Sequence, residues 1–139
     1  GERLVLSACA IGIMDTVVNE CISHLRKRKK RTGAGIRFQD TEHKIAEMAT
    51  QMQAARQLAF YSAWMMTQEM ECIKETSMSK YFCADSGKRI ALMGMEILGA
   101  EGYTMDSAVQ QFFRDIPILS IGGGTSQIQK NVIAKTLGL

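Results

Sequence analysis

Apolar residues recur along this chain with a helical period almost from end to end. Leu4, Ala8, Ile11, Met14, Val18, Cys21, Ile22 and Leu25 fall three or four positions apart. That spacing lines one face of a helix and predicts a long amphipathic element ending near Arg31, before Gly33 and Gly35. A second stripe, with Ile45, Met48, Met52, Ala55, Ala59 and Trp64, predicts a helix from about Ile36 to Met70. A third, with Ile73, Tyr81, Phe82, Ile90, Met93 and Ile97, predicts one from about Cys72 to Leu98, closed by Gly99 and Gly102. Asp106 is placed to cap a short helix through Phe113. Pro117 then interrupts the chain, and a last helix runs from Thr125 to about Leu137, with Ser126 and Gln129 at capping-box spacing.

No stretch alternates with period 2, and no internal repeat or low-complexity linker is present. The expected fold class is all-α. Three long helices joined by short turns should pack antiparallel, with the short helix and the C-terminal helix completing one bundle over residues 1–139. Helix formers dominate the sequence, and the ten methionines read mostly as adaptable core filler.

Composition changes this picture little. At 139 residues, 46% hydrophobic and 22% charged, the chain suits one globular domain with a real core. A net charge of +3 does not by itself imply nucleic acid. Cys9, Cys21, Cys72 and Cys83 include no close pair, so buried reduced thiols are expected rather than zinc or disulfides. No apolar run approaches the ~18 residues of a membrane span. The start, GERLVLSACAIGIM, lacks the pattern of a signal peptide and reads as a helix cut open just before Glu2.

Three features could carry chemistry. RKRKKR, residues 26–31, ends the first helix. Cations there complement the helix dipole and stay solvated, or they meet a cofactor phosphate, or a nucleic acid backbone. No aromatic residue interleaves the run, which weakens a single-strand-binding reading. His24 and His43 lack partners at metal-ligand spacing, so no metal is expected. In ILSIGGGTSQIQ, residues 118–129, three glycines precede a helix start. Such a loop presents amides to an anion, or a glycine stands where a larger residue has been lost. The residues alone leave both open.

Six segments taken in order decide more. ERLVLSACAIGIMD, RKRKKR followed by Phe38-Gln39, HKIAEMAT, EILGAEGYTMD, FRD and GGGTSQIQKNVIA together resemble the C-terminal helical domain of flavin-dependent acyl-CoA dehydrogenases across nearly the full chain. The resemblance implies FAD, an acyl-CoA substrate, electron-transfer flavoprotein or a similar acceptor, and a homo-oligomer (dimer or tetramer). It further implies a cytoplasmic protein, or one of the mitochondrial matrix in a eukaryote, without nucleic acid or a membrane span. The implied reaction is α,β-dehydrogenation: a carboxylate takes the α-proton while a hydride leaves the β-carbon for the flavin.

The glycine loop takes on meaning in that light. Most of the family carries its catalytic glutamate there, where this chain has Gly123. A minority, resembling isovaleryl and long-chain acyl-CoA dehydrogenases, place it before the arginine that opens the first long helix. This chain has Glu2-Arg3 at that place, which makes Glu2 the candidate base. The resemblance assigns Arg3 and Gly124 to substrate. It assigns Arg28, Lys29, Lys30, Phe38, Gln39, Glu96, Gly99, Ala100, Thr125 and Gln127 to cofactor, with Arg28 reaching the FAD of a neighbouring subunit. Glu96 departs from the family's neutral amide, and Arg31-Thr32 replaces its Phe-Gly. The family's N-terminal helical and middle β domains are absent from the sequence, so the isolated chain is expected to be inactive. A non-catalytic helical oligomerisation module derived from the family is the competing expectation, with nucleic-acid binding through residues 26–31 ranked last.

Overall fold

The computed structural model describes residues 1–33 and 38–139. Its elements are α1 (Glu2–Thr32), α2 (Gln39–Thr67), α3 (Ile73–Leu98), α4 (Ala108–Asp115) and α5 (Ser126–Thr136). Short 3-10 turns occupy Gly99–Tyr103 and Ile116–Ser120. Among the described residues there is no strand, and the fold class is all-α. Gly35 and Ile36, expected at the first turn and at the start of the second helix, lie outside the described residues.

Ion pairs give the direction of the helices. Arg56 Nη2 meets Asp15 Oδ1 at 3.1 Å, and Lys29 pairs with Glu42, so α1 and α2 run antiparallel. Ser79 Oγ donates to Ser7 Oγ at 3.0 Å, and His24 Nδ1 meets Glu101 Oε2 at 3.0 Å just beyond α3. The first and third helices therefore run parallel, as they must when each neighbours an antiparallel α2. The α3 helix is the hub, touching α1, α2, α4 and α5.

Close approach at that hub rotates the buried stripe away from the most apolar residues. In α1 the buried positions are Ser7, Ala10, Met14, Val17, Val18, Cys21 and Leu25, while Ala8 is exposed. The α3 helix buries Ser77, Ser79, Cys83, Ser86, Gly87, Ala91 and Gly94, among which Ser79 bonds Ser7 and Gly94 lies against Val17 of α1. Small side chains let the two backbones come together, which dispersion rewards more than one large apolar group would. Trp64, expected in the core, is 51% exposed and stacks on Tyr61, while Ser62 and Met65 take the buried positions. Ile73 is likewise half exposed. Of the methionines, Met14, Met48 and Met65 fill core space, whereas Met66, Met70 and Met105 face outward.

Two caps differ from expectation. Ser107, not Asp106, caps α4, its hydroxyl accepting from the Val109 amide at 3.2 Å. Thr125 caps α5 by accepting from the Ile128 amide at 3.3 Å, which makes Ser126 the first helical residue. The Ser126–Gln129 capping box does not form, and both side chains turn to other partners described below.

The thiols also divide. Cys21 and Cys83 are buried as expected, but Cys9 is exposed and Cys72 partly so. Burial, with Glu20 adding repulsion, pushes the Cys21 thiol up to about 12, and burial also raises Cys83. Thiolates do the attacking, so iodoacetamide should label Cys9 and Cys72 in the native protein and leave Cys21 and Cys83 unlabelled until denaturant is added. Mass spectrometry finding Cys21 among the first labelled would contradict this core.

One further correction concerns α1. By length and hydropathy it is long and apolar enough to cross a membrane, with an 18-residue window of mean hydropathy 1.6, a third of it buried. The core helix of a bundle meets the same measure, and here Ala10, Met14, Val17 and Cys21 supply the core.

Candidate active site

The start of α1 and the turn before α5 meet at one end of the bundle. Gly122, Gly123 and Gly124 link the second 3-10 turn to Thr125, and Gly123 and Gly124 have φ of +66° and +91°. Glycine adopts such angles without strain, so Gly123 and Gly124 meet a conformational requirement that Gly122 does not share. A Cβ built on Gly123 would stand 3.6 Å from Glu2 Oε1 and 2.6 Å from Leu6 Cδ1. A Cβ at 123 would therefore collide with Leu6 and stand in ordinary contact with the Glu2 carboxylate.

This corner opens into a cleft of about 410 Å³. Glu2, Arg3 and Gly123 line it from one side, and Met66, Cys72 and Thr76 from the α2–α3 junction. Arg3 makes no ion pair with Glu2 among the described residues. Glu2 itself is exposed and occupies the first turn of α1, where an acidic residue complements the helix dipole.

Beneath the turn lies a polar layer that sequence reasoning missed. Lys80 is 1% exposed and donates to the Gly124 carbonyl at 2.6 Å. Gln129, 0% exposed, donates through Nε2 to the Gly123 and Gly124 carbonyls at 2.9 and 3.1 Å. Two carbonyl acceptors fix the orientation of that amide, because its oxygen cannot face them. Ser126 Oγ donates to Asp85 Oδ1 at 3.3 Å, and Lys88 pairs with the same carboxylate at 3.0 Å. Burial lowers the Lys80 ammonium below its ordinary value; Asp85 and Glu2 oppose that shift, while Arg3 and Lys88 reinforce it.

The remaining expected residues fall into two groups. Gly124, Thr125 and Gln127 join Glu2 and Arg3 at this end, Thr125 partly buried and Gln127 exposed in the first turn of α5. Arg28, Lys29, Lys30, Phe38, Gln39, Glu96, Gly99 and Ala100 cluster at the other end of the bundle. There the Arg28 guanidinium lies 4.9 Å over the Phe38 ring, and Lys29 is engaged by Glu42. A basic cleft of about 350 Å³ is lined by Lys27, Lys30, Arg31, His24 and Glu101. Glu2 and Arg28 sit at opposite ends of one unbroken helix, roughly 39 Å apart at ~1.5 Å per residue. No single dinucleotide reaches both from one copy of the chain.

The donor chemistry suits a flavin dinucleotide. Arg28 is exposed with its plane held by an aromatic face, an arrangement that presents a guanidinium fork to a pyrophosphate. The exposed carboxylate of Glu96 opposes an anion there, as do Glu42 and Glu101 beside it.

Comparison with known proteins gives the family of this fold. Residues 1–138 match the description "Acyl-CoA dehydrogenase, C-terminal domain". Over 135 residues the chain is 34% identical to a 3-(aryl)acrylate reductase of Clostridium sporogenes, covering 97% of this chain and 36% of the relative. It is 35% identical to the mitochondrial short/branched chain specific acyl-CoA dehydrogenase of Bos taurus, covering 97% and 31%. A solved structure described as an FAD-dependent dehydrogenase superposes with a TM-score of 0.91 at 30% identity, covering 99% of this chain and 37% of that one. The chain thus spans about a third of the length of the relatives it matches. The bundle and the match over residues 1–138 lead to one assignment: this chain belongs to the acyl-CoA dehydrogenase family, as its C-terminal domain.

Proposed function

We propose that this chain serves α,β-dehydrogenation of an acyl-CoA thioester, supplying the base, the turn beside it and one set of cofactor contacts. The observation that carries the reading is the Glu2 carboxylate standing 3.6 Å from the place of a Cβ on Gly123. A dehydrogenase of this kind needs one carboxylate at the α-carbon, and here the position that lacks it is backed by another that has it.

FAD, when bound, accepts the hydride. The residues of this chain do the rest of the work assigned to it. Glu2 takes the α-proton on a carboxylate oxygen. Leu6 packs against Gly123 beside that carboxylate. Arg3 and Gly124 bound the acyl end, and Thr125 and Gln127 offer polar groups at the positive end of α5. At the far end Arg28, Lys30 and the Phe38–Gln39 pair hold anionic and planar parts of a cofactor. Because the two groups are so far apart, each cofactor takes its contacts from two copies, and the working unit is a dimer or tetramer. Electron-transfer flavoprotein or a similar carrier then accepts the electrons, in the cytoplasm of a bacterium or the matrix of a mitochondrion.

Domains homologous to the family's N-terminal helical and middle β parts are needed to complete the flavin site. The 139-residue chain alone is therefore expected to purify colourless and to leave acyl-CoA unoxidised. A stoichiometric flavin spectrum in that preparation would refute this. The same chain should self-associate. It exposes Phe60, Tyr61, Trp64 and Ile73, and a third cleft of about 480 Å³, lined mostly by apolar residues such as Leu58, Phe82 and Ile133 with Lys130 among them. Sedimentation velocity returning only monomer across the micromolar range would count against the composite site.

The second reading, a non-catalytic assembly module, draws on the exposed Glu96 among the cofactor contacts. Anaerobic mixing of acyl-CoA with the flavin-loaded enzyme that carries this chain separates the two. Bleaching of the flavin band supports dehydrogenation, and an unchanged spectrum supports the module.

A further inference from the structure

We propose that Lys80 is a positioning residue for Glu2: its ammonium, sealed beneath the turn at Gly123 and Gly124, fixes that turn so that Gly123 stays packed over the Glu2 carboxylate and Leu6. The proposal rests on reading Glu2 as the base, and its measurements are chosen to fail separately from that reading.

Lys80 is the largest fully buried side chain among the described residues. A buried ammonium is costly unless it is well paired, and among the described residues its one hydrogen bond is the short contact of 2.6 Å to the Gly124 carbonyl. The charges that face it are Glu2 and Arg3 from α1, and Asp85 and Lys88 from α3 itself; from the turn it meets a carbonyl. Met would fill the same volume without the desolvation cost, and such replacements of buried charges are often neutral or stabilising. Packing therefore gives no reason for a lysine here, whereas the turn does.

Three successive glycines form the backbone with the most freedom to lose in this chain, and freedom at Gly123 would move the wall beside Glu2. Two side chains remove it. Gln129 holds both carbonyls from α5, and Lys80 holds Gly124 from α3 with a charge-assisted bond. The turn is thus tied from α3 and α5 at once, at the point where Leu6 and Glu2 of α1 lie against Gly123.

Hydrogen–deuterium exchange on the 139-residue chain tests the tie directly. In Lys80→Met, amides of residues 122–128 should exchange about tenfold faster, while α1 and α2 keep their protection. Lys80→Gln, which retains a donor without the charge, should recover part of the protection. Unchanged exchange at 122–128 in Lys80→Met, or an equal rise along all helices, overturns the proposal. Should neither variant fold, the unsubstituted chain decides by nitrogen-detected NMR. A Lys80 ammonium resolved from the exposed lysines and slow to exchange supports the tie, and one exchanging as fast as theirs overturns it. In the flavin-loaded enzyme, Lys80→Met should slow flavin reduction about tenfold with KM little changed, since a small misplacement of a reacting group costs rate rather than binding. Glu2→Gln should slow reduction while leaving exchange at 122–128 as it was. A normal rate in Glu2→Gln refutes the base and not the tie, and normal exchange in Lys80→Met refutes the tie and not the base.

Discussion

Replacing Glu2 by Gln is expected to slow flavin reduction by acyl-CoA at least ~10²-fold in the enzyme that carries this chain, with FAD still bound. Gln keeps the shape and loses the basicity, so the loss measures proton abstraction rather than packing. Glu2 is exposed on the first turn of α1, which predicts that the substitution leaves folding intact. Restoring a carboxylate from the other side is harder than a simple gap would suggest. Gly123 has a φ of +66°, where any other residue is strained, and its Cβ would press to 2.6 Å against Leu6 Cδ1. The Leu6 terminus is a flexible branch end and can give way, but the backbone angle costs about 1–2 kcal/mol regardless. Glu2→Gln with Gly123→Glu is therefore expected to recover only part of the rate. Adding Leu6→Ala should recover more, because it clears the atom in contact. Stopped-flow reduction under anaerobic conditions reads all three. If Glu2→Gln reduces its flavin at the original rate, the base lies elsewhere and the assignment falls.

The long helices were legible because their signal is redundant. Dozens of residues repeat one period, and Gly33, Gly99 and Gly138 punctuate it. What the period did not convey is which side of a nearly all-round apolar helix goes inward. Trp64 is the most apolar-looking residue of its stripe, and it lies outside because Ser62 and Met65 suit the contact better. Ser7, Ala10 and Gly94 are inside because closeness, not hydrophobicity, was selected at the α1–α3 crossing.

Glu2 is a candidate through resemblance alone, and the structure places its carboxylate beside Gly123. Lys80 went unnoticed although its register was visible. It falls on the same face as Thr76, Cys83, Ala84 and Gly87, a place where a lysine needs a partner. That partner is a backbone carbonyl 44 residues away in sequence, and nothing local announces it. Gln129 failed for the opposite reason, since a plausible local partner, the Ser126 capping box, concealed the distant one. Short-range rules read caps well only where no tertiary acceptor competes.

The closeness of α1 and α3 sets the second large expectation, at Gly94. A Cβ there would lie 2.5 Å from Val17 Cγ1, 3.3 Å from Val109 Cγ1 and 3.7 Å from Cys21 Sγ. All three neighbours are fully buried, and Val17 is β-branched and held to one rotamer in a helix, so its methyl cannot swing aside. Gly94→Ala must part the helices, and overpacking of this kind costs about 1–3 kcal/mol, more than the ~1 kcal/mol that alanine gains over glycine as a helix former. Gly87→Ala is the control on the same helix. Its Cβ would meet Ile116 Cδ1 at 2.8 Å and Cγ1 at 3.1 Å, so the end methyl must turn and the inner carbon give by a few tenths of an ångström, a smaller demand than the 2.5 Å contact at Val17. There the helix-forming gain should roughly offset the contact, leaving stability within about 1 kcal/mol. Thermal unfolding followed by circular dichroism, at one protein concentration because association shifts the midpoint, should show Gly94→Ala several degrees below the original chain and Gly87→Ala close to it. Equal midpoints for the two variants would mean that α1 and α3 do not meet as closely as Val17 and Gly94 require.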